Sequence, residues 1–151
     1  MKHLLLVFTL MFTPMAFADC SEDLPLAEHM QRMYGTFDRI WASWDNADNV
    51  IIKDAMLLDI KQLREQLAQS LKHMPSRLVR QPESLGKHLQ VLEYQGMIIE
   101  VLALTVQLER AYVDSREGLE GERQRRIEIN KILSQMTKIV GQGHAKFRFG
   151  R

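Results

Sequence analysis

Met30 stands near the start of the first amphipathic stretch of the chain, and His144 near the end of the last. If an even number of antiparallel helices separates them, both side chains arrive at the same end of the molecule. A thioether sulfur and an imidazole nitrogen form the axial pair that holds and tunes haem iron in many electron-transfer cytochromes. Walls for such a macrocycle are within reach: Leu26, Met33, Met97, Val140 and Phe147 are apolar, and Arg148 or Lys146 is placed to meet a propionate. No Cys-x-x-Cys-His occurs, so an attached c-type haem is not indicated, and the absence is consistent with a haem b whose metal Met30 and His144 would hold.

Other chemistries compete with this one. His29, Met30 and Met33 place imidazole and thioether donors at helical spacing, a set that suits Cu(I). Methionine on an apolar stripe commonly serves as flexible filler, and a histidine at a helix carboxyl end is favoured by the dipole. The alternative is therefore a haem-free exported bundle with a binding or structural role. His73 and His88 flank the long connection and read as solvated. Hydrolytic motifs are missing, and Glu93 and Glu100 lack the Glu-x-x-His partners of a di-iron bundle. No enzymatic activity is expected.

The elements that must position Met30 and His144 begin after a leader. Lys2 and His3 precede an apolar run from Leu4 to Phe12, and Ala16-Phe17-Ala18 is a small-x-small cleavage signal, so residues 1–18 read as a signal peptide. That run is too short for a bilayer, which needs roughly 20 apolar residues. Asp19 fits poorly before a lipid-modified Cys20. The expectation is a soluble periplasmic protein of one domain, residues 19–151. Without Lys2 the chain carries 19 basic and 19 acidic side chains. Such a balance argues against nucleic acid or an anionic membrane as the main partner. One cysteine allows no internal disulfide, and a monomer or weak dimer is expected.

Four apolar stripes follow, each at spacings of three and four. The first is Leu26, Met30, Met33, Phe37, Ile40, Trp41 and Trp44, with Pro25 suited to a first turn and Asp45 to Asn49 suited to a stop. Met56, Ile60, Leu63, Leu67, Leu71 and Met74 form the second, ended by Pro75, and Pro75 to Ser84 is the longest connection. The third comprises Leu85, Leu89, Leu92, Gly96, Ile99, Ala103 and Val106, widened by Met97, Ile98, Val101, Leu102 and Leu104. So wide a face predicts the most buried helix, shorter than a membrane span. Gly118 and Gly121 mark the third turn, and Ile129, Ile132, Leu133, Met136, Ile139, Val140 and Phe147 carry the fourth stripe with His144. No period-two alternation is sustained. The fold class expected is all-α, an antiparallel up-down four-helix bundle.

Several of these residues also match a known pattern. His144-Ala145-Lys146-Phe147-Arg148 is similar to the closing His-x-Lys-aromatic-Arg of the cytochrome b562 family, and Met30 falls at that family's methionine position. Lys53-Asp54-Ala55-Met56 resembles the start of its second helix, and Gly96-Met97 a Gly-apolar step in its third. The resemblance implies a small exported bundle that carries one electron on a noncovalent haem, with an unidentified redox protein as partner. This chain departs from the pattern in three ways: it is longer between Gly96 and His144, Val140 stands where a basic residue is expected, and Gly141 and Gly143 precede the histidine.

Overall fold

The computed structural model describes residues 26–45, 50–114 and 118–147, which form five helices. Four are long: α1 (Leu26–Asp45), α2 (Val50–Ser70), α4 (Leu85–Val113) and α5 (Gly118–Phe147). The short α3 (Ser76–Val79) lies within the connection between α2 and α4. The long helices make an antiparallel up-down four-helix bundle. Residues 1–18, Cys20 and Arg148 lie outside the described residues.

Local chemistry sets the ends of the helices. Pro75 and Leu78 are buried and plug the long connection under the bundle. The Ser84 hydroxyl accepts from the Lys87 backbone N–H at 3.1 Å and caps α4, a common use of serine. Lys87 is itself buried, its ammonium donating to the Gln81 carbonyl and paired with Glu83. Gly118 opens α5 at φ +80°, a conformation that costs glycine little. The Gly141-Gln142-Gly143 stretch stays helical, so α5 carries His144 within regular structure.

Close packing joins α1 to α2, α2 to α4 and α4 to α5, while the backbones of α1 and α5 approach each other less closely. The core runs along the axis, with Ile40, Met56, Ile60, Leu108, Ile129, Leu133 and Met136 almost fully buried. Cross-helix ion pairs sit on its surface: Arg39 with Asp59 at 2.8 Å, Arg64 with Glu109, and Lys146 with Glu93. Pairs this exposed add little stability.

Helix α4 departs from expectation. Leu85, Leu89, Leu92, Gly96, Ile99, Ala103 and Val106 face outward, and the buried face is instead Tyr94, Ile98, Val101, Leu104, Thr105, Leu108, Ala111 and Tyr112. The inward face fits α2 and α5 with larger side chains. On that face the Thr105 hydroxyl donates to the Val101 carbonyl at 2.8 Å. At 29 residues α4 is also long and apolar enough to cross a membrane by length and composition, contrary to the shorter segment expected. Met74 likewise falls beyond α2, which ends at Ser70, and is exposed.

Candidate functional site

One end of the bundle is filled and the other is not. At the filled end the Trp44 indole N–H donates to Asn130 Oδ1 at 2.7 Å, tying α1 to α5, and the Arg126 guanidinium lies 5.7 Å from the Trp44 ring centroid. At the other end α1 and α5 enclose a cavity of about 280 Å³ with α2 and α4. Its walls are almost wholly apolar.

Met30 and His144 both line this cavity, one from the first turns of α1 and the other from the last turns of α5. Antiparallel helices bring the first turns of α1 to the same end of the bundle as the last turns of α5, as the spacing requires. Met30 is half-buried, whereas His144 is exposed at the rim, and the Tyr34 ring meets its imidazole edge-on with centroids 6.2 Å apart. Tyr34 is one turn after Met30, so it shares that face of α1.

Met33, Met97, Val140 and Phe147 line the same space. Phe147 packs edge-to-face on Tyr94, centroids 5.6 Å apart. Gly143 gives Met97 its place: a Cβ there would stand 3.1 Å from the Met97 methyl. Lys146 is committed to Glu93 on α4, half exposed near Phe147. The Leu26 side chain and Arg148 lie outside the described residues.

His29 does not join Met30 and Met33 in the cavity. It is buried against α2, its Nε2 2.9 Å from the Gln66 carbonyl oxygen, with the His73 ring 5.7 Å away. The three candidate copper donors are thus divided. Among the described residues there is no cluster of three or more His, Cys, Asp or Glu side chains able to hold a metal ion.

Tyr34 and Tyr94 line the cavity though neither falls on an apolar stripe, and Leu63 and Leu67 of the α2 stripe line it as well. Tyr94 is the most unusual. It is buried, its hydroxyl has no hydrogen-bond partner among the described residues, and desolvation pushes its pKa up to about 12. A signal existed in its position one turn before Met97 and Ile98 on α4.

A thioether and an imidazole lining one apolar space is a donor set suited to haem iron and poorly suited to a hydrated hard cation. No family model, curated protein or solved structure matches the chain.

Proposed function

We propose that this protein is a periplasmic b-type cytochrome resembling cytochrome b562, carrying one electron on a noncovalent haem held by Met30 and His144. The observation that carries this reading is that those two side chains, from opposite ends of the chain, line a single apolar cavity. Haem, when bound, supplies the one-electron couple. Met30 contributes a neutral sulfur donor, which favours the reduced state and raises the potential. His144 contributes an imidazole nitrogen, and the edge of Tyr34 against the ring restrains its orientation.

Met33, Met97, Val140 and Phe147 exclude water and keep the local dielectric low. Lys146, now paired with Glu93, and Arg148, two residues further along the sequence, would offer cations for propionates. Met30 and His144 would together hold the iron and leave no protein-free ligand position for oxygen or substrate, and the group would supply one-electron exchange with a redox protein partner. The role is that of a carrier, not an enzyme. Residues 1–18 direct export, and the mature chain is soluble in the periplasm.

The test is a pair of visible spectra, before and after dithionite, on protein exported from a haem-supplied host. A sharp reduced spectrum of six-coordinate low-spin haem, lost in both Met30→Ala and His144→Ala, is the expected result. A colourless, fully helical protein that also refuses added hemin would leave the haem-free bundle as the reading.

A further inference from the structure

The outward face of α4 has no use within the bundle. Leu85, Leu89, Leu92, Ile99, Val106 and Val113 are each between 48% and 75% exposed, and Gly96 and Ala103 fall on the same stripe. Their spacing alternates four and three without a break from Leu85 to Val113, with only Arg110 charged. That is the period of a seam between two helices, narrower and stricter than a face that merely meets solvent or lipid.

Gly96 supplies an independent reason to look for a second helix. In the middle of α4 it costs about 1 kcal/mol relative to Ala. A Cβ built there meets nothing within 4 Å, so the bundle itself gives no reason for glycine. A backbone approaching from outside would.

We propose that α4 pairs antiparallel with α4 of a second copy, about a two-fold axis at Ile99. In that register Ile99 meets Ile99, Gly96 of one copy faces Ala103 of the other, Leu92 faces Val106, and Leu85 faces Val113. The small positions Gly96 and Ala103 are matched with each other, Ile99, Leu92 and Leu85 meet apolar partners, and Leu89 lies against the aliphatic stem of Arg110. The face is thus self-complementary, as a closed two-fold contact requires. The exposed parts of these side chains amount to about 600 Å² per copy, so complete coverage in the pair would bury up to roughly 1,200 Å² in all, a ceiling at the lower edge of specific interfaces.

Charge favours this occupant over a bilayer. Glu100 is exposed beside the stripe, and anionic lipid would repel it, while the flanking Glu93 and Glu109 are paired with Lys146 and Arg64 and offer lipid no cation. In the pair, His88 comes beside Glu109, while Glu100 comes beside its own copy near the axis, a repulsion that salt screens. The cavity opens on the other side of α4, at Tyr94, Met97, Ile98 and Val101, and stays clear.

The test is sedimentation and light scattering of the full exported chain carrying Cys20→Ser, so that Cys20 cannot link copies. The expected mass is twice that of one chain at micromolar concentration and above, with dimerisation strengthened by added salt. Ile99→Glu, at a site already half exposed, should return the mass to one chain with an unchanged helical spectrum. Gly96→Leu should do the same. Under oxidation Ile99→Cys should link two copies efficiently and Leu85→Cys should not. Single-chain mass for the unsubstituted face at every concentration, a dimer that survives Ile99→Glu, or equal linking at both cysteines would overturn the proposal. Flotation of a single-chain species with phosphatidylethanolamine/phosphatidylglycerol vesicles, abolished by Ile99→Glu, would also overturn it.

Discussion

The two ends of this bundle are built from the same four helices and differ in what stands between α1 and α5. At one end Trp44 reaches across to Asn130 and is covered by Arg126, above a layer in which Met56, Leu108, Ile129 and Leu133 are almost fully buried. At the other, Met30, Tyr34, Met97 and His144 surround a cavity of about 280 Å³. A chain that packs one end to closure has the means to close the other. The open end carries thioether and imidazole groups among aliphatic walls that include Leu63, Leu67, Ile98 and Val101, and the proposed haem would occupy the space they leave.

The contrast predicts unequal penalties for removing side chains. Leu133→Ala, at the closed end, should cost about 3–5 kcal/mol, because its site has no slack into which neighbours can relax. Met97→Ala, whose side chain already borders empty space, should cost about 1–2 kcal/mol in the ligand-free protein. Denaturant melts of the two variants measure the difference, and equal costs would mean the ends are packed alike.

Alkaline pH should also act at the open end. Burial raises the Tyr94 pKa from 10.0 to about 12, so the folded state holds the phenolic proton more tightly than the unfolded chain does. The stability this lends is intact below pH 10 and is lost as pH rises to about 12, a decline of about 3 kcal/mol. Tyr94→Phe should flatten that decline. Since the hydroxyl has no partner among the described residues, the variant should be no less stable at neutral pH.

Smaller effects sharpen the comparison further. Asn130→Ala leaves the buried Trp44 indole N–H without its acceptor and should cost about 1–2 kcal/mol, read in the thermal midpoint. Gly141→Ala should stabilise α5 by up to about 1 kcal/mol, since a Cβ there meets nothing within 4 Å. Gly143→Ala should gain less, because the new Cβ presses on the Met97 methyl at 3.1 Å and drives it into the cavity.

Three of the four long helices were legible because each has one apolar and one polar side. Met33, Phe37, Ile40 and Trp44 on α1, or Ile129, Ile132, Leu133 and Met136 on α5, leave periodicity only one inward face to choose. On α4 both faces are apolar, and the cleaner stripe is the outer one. The true core face contains Tyr94, Thr105 and Tyr112, whose hydroxyls dilute the pattern that periodicity detects. Burial there follows the fit to α2 and α5, which a single helix does not encode.

The candidate site was legible for a different reason. Met30 and His144 sit near the two ends of an even-numbered antiparallel array, so topology alone aligns them. Tyr34 and Tyr94 were not apparent, because their roles depend on helix rotation about the axis. His29 went the same way: one residue from Met30, it turns toward Gln66 on α2 and leaves the thioethers in the cavity without it.

The most direct test of the account exchanges the sulfur donor for a nitrogen. Protein carrying Met30→His, exported with haem, should keep a six-coordinate low-spin spectrum, lose the sulfur-to-iron charge-transfer band of the oxidised form, and show a lower midpoint potential. A variant with the same band and the same potential as the unsubstituted protein would place Met30 off the iron and contradict the central claim.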